Sequence, residues 1–200
     1  MNENIRHEAP GRLESIRAFL NTWRIANKTH LPEDLLSSEE ALSQFQHTYF
    51  PTLATTSDLQ EVLRLRSDLR ALLGASEASI VMTLSPWLAR YPIVTVLEQQ
   101  HEPMSEGLPL VHYRALAGTI EQQVLCAELL SIVVEALALH TWTRLKACLD
   151  CQWVFYDRSK NTSKVWCGML AEGPLGRSCG SIAKVRRWRE RQKALDPHEG

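Results

Sequence analysis

Four thiols in the last third of the chain constrain its folding more than any other feature. They are Cys148, Cys151, Cys167 and Cys179, spaced C-x2-C-x15-C-x11-C. A C-x-x-C turn lets two sulfurs converge on one ion, about 2.3 Å from each for zinc, and four thiolates satisfy the tetrahedral preference of that ion. Trp153, Phe155 and Trp166 stand between the cysteine pairs and offer a small apolar core, while Asp157 to Ser163 reads as a polar turn. A segment this short does not fold on burial alone, so metal binding is expected to supply much of its folding free energy. A thioredoxin-like redox pair needs a βαβ context that this sequence does not offer. A catalytic zinc keeps an open position, with His or water among its ligands. No histidine occurs between residues 141 and 197, so the expectation is one structural zinc ion. The fifth cysteine, Cys126, falls in a strongly apolar stretch and reads as a small core residue.

Behind the last cysteine runs Lys184-Val-Arg-Arg-Trp-Arg-Glu-Arg-Gln-Lys193. The net charge of −1 hides an asymmetry: residues 1–143 hold 10 basic and 17 acidic side chains, and residues 144–193 hold 12 basic and 4 acidic. Such a split points to an anionic partner for the basic end alone. Read as a helix, the run places Ile182, Val185 and Trp188 on one narrow stripe, expected to pack on the metal module. Lys184, Arg186, Arg187, Arg189, Arg191 and Lys193 are then left facing outward. Guanidinium groups contact phosphates, or read a guanine edge bidentately, so DNA is the expected partner, and the run does not distinguish it from RNA. The competing reading is a zinc-stabilised protein-interaction module whose basic helix meets an acidic protein surface.

The rest of the chain reads as mainly helical with a short β-hairpin. Residues 11–25 have helical spacing through Leu13, Ile16, Phe19, Leu20 and Trp23. Ser38-Glu-Glu opens a second helix, and Ser57-Asp-Leu opens a third that runs to Gly74. Residues 76–90 form a fourth, whose second half is put in question by Pro86. Runs from Pro92 to Glu98 and Leu108 to Arg114 suit an antiparallel hairpin. Residues 118–147 give the longest helix, apolar nearly all round and expected to be the central core element. It runs almost directly into Cys148, which predicts a rigid junction between a helical domain, 1–143, and a metal module, 144–195, with 196–200 as a tail. The most apolar stretch, Leu129 to Leu139, is far short of the roughly 20 residues a membrane span needs. With no signal-peptide pattern at the N-terminus, a cytoplasmic protein is expected.

The metal segment resembles a known family. Cys148-Leu-Asp-Cys151-Gln-Trp-Val-Phe155-Tyr-Asp157-Arg-Ser159-Lys-Asn161, then Trp166-Cys167, Cys179-Gly180 and Lys184-Val-Arg186-Arg187, is similar to the CGNR zinc finger. The resemblance implies a bacterial, stress-induced transcription regulator with an N-terminal helical domain called ABATE. To that domain Ala18-Phe19-Leu20-Asn21-Thr22, the Leu69-Arg70-x-x-Leu73 helix and Arg144-Leu-Lys-x-Cys148 correspond more weakly. Two departures stand out. The signature Cys-Gly-Asn-Arg is Cys179-Gly180-Ser181-Ile182 here, and Gly168 to Ser178 lengthens the spacing between the last two ligands. All four thiols survive both changes.

The third helix places Arg66 and Arg70, one turn apart, on the arc that carries its leucines. Two core-facing arginines need buried partners or a ligand. Two structural accounts are open: pairing with Glu128 and Glu135 of the long helix, or snorkelling from the rim. The functional one is a pocket for an anionic small molecule, with Asn21 and Thr22 as polar neighbours. His140 falls in the apolar helix and reads as a hydrogen-bonded core residue. No protease, hydrolase, P-loop or dinucleotide motif occurs, so no enzymatic activity is expected. One finger per chain makes a homodimer attractive, because two-site binding raises affinity.

Overall fold

The computed structural model describes residues 8–26, 29, 31–53, 57–98, 110–116, 124–168 and 179–195. Its elements are α1 (Leu13–Leu20), β1 (Trp23–Ile25), β2 (Pro32–Asp34), α2 (Glu39–Tyr49), α3 (Leu59–Ala71), α4 (Glu77–Arg90), β3 (Ile93–Glu98), β4 (Leu110–Ala115), α5 (Val124–Ala138), a 3-10 turn (Trp142–Arg144), β5 (Leu145–Ala147), β6 (Val154–Tyr156) and α6 (Cys179–Leu195). The strands pair as three separate antiparallel hairpins, β1–β2, β3–β4 and β5–β6. The architecture of the described residues is therefore mainly helical, with two more hairpins among them than the sequence predicts.

Helix starts follow their caps. The Ser38 hydroxyl accepts from the Ala41 amide, Asp58 from those of Gln60 and Glu61, and Ser76 from that of Ser79. Each satisfies a backbone donor that the first turn leaves free. α4 runs through Pro86 to Arg90. Met82 and Pro86 are both exposed, so the hydrogen bond that the proline cannot donate is missing from the solvent side of the helix. α1 is shorter than expected: it stops at Leu20, and Trp23 to Ile25 turn into β1.

α5 is the core helix. Leu125, Ala127, Leu129, Leu130 and Val133 are fully buried, against Ile16, Phe19 and Leu20 of α1 and Val62, Leu65 and Leu69 of α3. Cys126 is buried among them, and burial pushes its thiol up to about 12. The β3–β4 hairpin covers another side of α5, in the register Ile93↔Ala115 to Glu98↔Leu110.

The continuous helix predicted over 118–147 is corrected at its C-terminal end, and residues 118–123 lie outside the described region. α5 ends at Ala138. His140 takes the left-handed conformation, φ 55, and two bonds close the end: Thr141 N–H to Ala136 O at 2.8 Å and His140 N–H to Leu137 O at 3.1 Å. This is the paired bonding of a Schellman cap, with His where Gly is usual. His140 is exposed, not a core residue. The chain then turns through Trp142 to Arg144 into β5.

The β5–β6 hairpin serves two cores. Leu145, Val154 and Tyr156 lie in the core of the helical body, while Phe155, from the opposite face of β6, lies among the four cysteines. The period-two alternation of a strand makes this division. Asn21, at the end of α1, fixes the hairpin: its Nδ2 donates to Val154 O at 2.8 Å and its Oδ1 accepts from Val154 N–H at 2.7 Å.

Candidate metal centre

Leu145 to Ala147 deliver Cys148 to the tip of the hairpin, where the chain reverses through Cys151 into β6. Cys148 N–H donates to Trp153 O at 2.9 Å and Gln152 N–H to Cys148 O at 2.9 Å. Gln152 holds φ 58 to close this turn. The Cys151 amide is bonded to the Cys148 sulfur and the Trp153 amide to the Cys151 sulfur. Such donors favour the thiolate form that a metal requires.

The loop to Cys167 is built around the buried Asp157. Its carboxylate accepts from the Ser159 and Lys164 amides and from Lys146 Nζ, each at 2.9 Å. Arg144 Nη1 donates to Asp157 O at 2.9 Å and Ser159 O at 3.1 Å. Burial pushes the carboxyl up, but the bonds from Ser159, Lys146 and the two amides outweigh it and hold it well below the usual range. The expected polar turn is thus an aspartate-centred loop, braced by two cations from β5 and the turn before it. Cys179 is the first residue of α6 and reaches the centre because Gly180 N–H binds Gly168 O at 2.9 Å. Residues 169–178, most of the lengthened spacing, lie outside the described region.

The four sulfurs lie within 4.8 Å of one another, and all four residues are buried. Cys151 Sγ stands 3.6 Å from Cys167 Sγ, and Cys167 Sγ 3.7 Å from Cys179 Sγ. A tetrahedral zinc with Zn–S of about 2.3 Å has S···S edges of about 3.8 Å, whereas a disulfide needs about 2.05 Å. The cysteines are free, without disulfides. They therefore have the spacing of ligands round one zinc ion. Three neighbouring thiols donating to Cys148 hold its pKa down, and the contacts of Cys179 with Cys148, Cys151 and Cys167 push that of Cys179 up. One bound cation replaces all the protons that this arrangement otherwise has to share. With no histidine in the cluster, the donor set is that of a closed structural site. Trp153 and Trp166 pack against it beside Phe155, as the sequence suggested.

α6 meets this centre differently from the expectation. Cys179, Gly180 and Ala183 form its buried face, and the Arg187 guanidinium lies 6.0 Å from the Trp166 ring centroid. The apolar stripe does not pack on the finger: Ile182, Val185 and Trp188 are 37%, 47% and 58% exposed. Cys179, held in the cluster, sets the rotation of the helix and turns Gly180 and Ala183 towards the finger beside it. Lys184, Arg186, Arg187, Arg189 and Arg191 are exposed, and none forms an ion pair among the described residues. Lys193 lies in the helix, and its side chain is outside the described region.

The four residues expected to line an anion pocket are split between two cavities. Arg66 and Arg70 line one of about 470 Å³ with Trp23, Asp34, Leu63 and Ser67. Asn21 and Thr22 line another of about 370 Å³, together with Trp153. Arg66 does not pair with α5: it binds Asp34 at 2.8 and 2.5 Å and Thr22 Oγ1 at 2.8 Å. Glu128 and Glu135 are taken by Arg12, at 2.5 and 3.0 Å, a residue that helical periodicity does not single out. Partial burial pushes the Asp34 carboxyl up, yet its bond to Arg66 and the Leu36 amide hold it below its usual value. Arg70 has no carboxylate partner among the described residues. It donates to Leu20 O at 2.6 Å, Trp23 O at 3.2 Å and Gln152 O at 2.9 Å, and lies 4.5 Å from the Trp23 ring centroid. Burial, and then the nearby Arg66 charge, lower its pKa to about 10. Arg70 thus ties the helical body to the metal-binding turn.

No helix among the described residues is long and apolar enough to cross a membrane. No curated protein matches the chain significantly. The cysteine centre, its Asp157 loop and the helix behind it belong to one recognised unit: residues 144–192 match the family model of the CGNR zinc finger.

Proposed function

We propose that this protein is a cytoplasmic, bacterial DNA-binding transcription regulator in which a structural zinc orders the finger and α6 grips the nucleic acid. The observation that carries the reading is the state of α6. Five exposed cations stand on one helix whose first residue is a zinc ligand, and none is neutralised by an acid among the described residues. Phosphate contact is the chemistry such a helix suits, and the counterions it releases make binding steeply salt-dependent. The helical body adds a sensing role. The Arg70 guanidinium, bound to carbonyls and lining the larger cavity, suits an anionic small molecule, and its bond to Gln152 O offers a route from that cavity to the finger. The same body serves as the contact in a homodimer, which gains affinity by two-site binding. No catalytic step belongs to this reading.

A second reading, an interaction module that binds an acidic protein surface, draws support from the exposed Ile182, Val185 and Trp188. Gel-shift titrations of duplex DNA over a range of salt, with RNA as competitor, separate the two. Arg186→Ala/Arg191→Ala is expected to make the log–log salt slope shallower by about 2, one phosphate contact for each arginine. Unchanged DNA affinity in this variant overturns the role given to α6.

A further inference from the structure

Resting on the DNA-binding reading, we propose that the ridge formed by Ile182, Val185 and Trp188 reads thymine methyl groups in the major groove. α6 is fixed to the finger by Cys179, Gly180 and Ala183, with Arg187 over Trp166. At about 100° per residue, Val185 lies opposite that anchored face, flanked by Ile182, Trp188, Arg189 and Gln192. All five are exposed. A groove that receives this helix receives the ridge first, because the finger occupies the other side. Lys184 and Arg191 fall on one flank of the ridge and Arg186 on the other.

The occupant therefore has to be anionic along two edges and to offer apolar groups between them, beside acceptors for Arg189 and Gln192. Duplex DNA offers that pattern. Its major groove, about 12 Å wide, admits an α-helix between two phosphate walls, and the thymine C5-methyl is the apolar group on its floor. A second copy of the helix does not fit, since it brings cations against cations. The ridge carries no carboxylate. Gln192, between Trp188 and Val185, and Arg189, between Val185 and Ile182, are the two polar side chains within it, able to hydrogen-bond an adenine and a guanine edge. The three large apolar side chains should accordingly favour thymine-containing steps through their buried methyl groups, with phosphate contacts supplying most of the affinity.

The test uses the zinc-loaded full chain and two short duplexes, one of alternating adenine and thymine, the other of alternating adenine and uracil. They differ only in the C5-methyl groups. Fluorescence anisotropy at fixed salt should show tighter binding to the thymine duplex, about fourfold for each methyl buried. Val185→Ser/Trp188→Ser should abolish that difference and leave the salt slope unchanged, since the slope counts phosphates. Both positions are exposed, so folding is not at stake, and zinc content verifies it. Equal affinity of the wild type for both duplexes overturns the methyl reading while DNA binding stands. Absence of binding to either duplex at low salt overturns both. Full discrimination retained in the double variant removes the ridge from the assignment.

Discussion

The core beneath α1, α3 and α5 and the cluster round the four cysteines lie on opposite faces of one hairpin, yet they differ in kind. The first buries whole leucine, isoleucine and phenylalanine side chains against one another. In the second, Phe155 is the one fully buried member that is not a cysteine among the described residues, with Trp153 and Trp166 partly exposed beside it. Burial at about 25 cal/mol per Å² sustains the first. The second has too little apolar surface for that, and its four clustered thiols are costly without a cation. The two regions should therefore respond to different insults.

Zinc removal tests this most severely. Apparent binding energies for structural zinc are on the order of 10 kcal/mol, so chelation or Cys151→Ser should unfold residues 148–168 and release α6. Amides of α1, α3 and α5 should keep their protection from hydrogen exchange. Collapse of every protected amide at one chelator concentration would instead make the two cores a single cooperative unit, joined through Leu145, Val154 and Tyr156. Acid acts in the same direction on the finger, because thiolates must stay deprotonated to hold the metal.

The opposite insult falls on the body. Arg66 is 5% exposed and depends on Asp34. Asp34→Ala leaves that guanidinium buried and unpaired, a loss of about 3 kcal/mol, with zinc stoichiometry unchanged. Arg66→Met should cost less, because the half-exposed Asp34 it strands returns to water. The pH dependence follows from the lowered Asp34 carboxyl. The pair stabilises the fold above the usual value of 3.8, and that contribution is lost as pH falls through the lower folded-state value. Urea titrations of the wild type and Asp34→Ala should therefore differ most near neutrality and converge in acid.

At the junction both regions should move together. Asn21→Ala strands the amide of Val154 and leaves its carbonyl only the long 3.5 Å bond from Arg17, for a loss of about 2 kcal/mol. Unlike Asp34→Ala, it should also weaken zinc retention, measured by competition with a chelator, because Val154 is three residues from Cys151. Unaltered zinc affinity would show that the hairpin face in the body is held independently of the face in the finger.

Which parts of this were legible in the sequence depends on the range of the interactions. The thiols were, because metal coordination brings four distant residues to one point and leaves a spacing that no helix or strand explains. Ser38 and the Ser57-Asp58 step were legible because capping is local. The end of α5 was not. Leu-Ala-Leu-His-Thr continues an apolar run without Gly or Pro, and the left-handed His140 is chosen by the fold around it. The partner of Arg66 was also hidden. Asp34 sits on a hairpin of three-residue strands, too short for alternation to register. The facing of α6 misled for a third reason. Apolar spacing predicts the inward face only where burial sets a helix's rotation; here the Cys179 ligand does, and the large apolar residues are turned outward.

The smallest expected effect compares the two left-handed residues that end the two regions' turns. His140, φ 55, closes α5, and Gln152, φ 58, closes the metal-binding turn. A non-glycine residue in this conformation costs about 1–2 kcal/mol. Glycine removes that cost but loses more backbone freedom on folding, about 0.5–1 kcal/mol of offset. A net gain of about 0.5–1 kcal/mol remains at each position, and where it appears should differ. In His140→Gly it should raise the urea midpoint of the body and leave zinc affinity alone. In Gln152→Gly the body should be unchanged and zinc held about threefold more tightly in chelator competition. The Gln152 carbonyl still accepts from Arg70 at 2.9 Å after this substitution, so the link to the body is preserved and the gain belongs to the turn. A Gln152→Gly gain in the urea midpoint of the body, with no change in zinc affinity, would mean that Arg70 transmits turn strain into α3 and that the two regions share one stability.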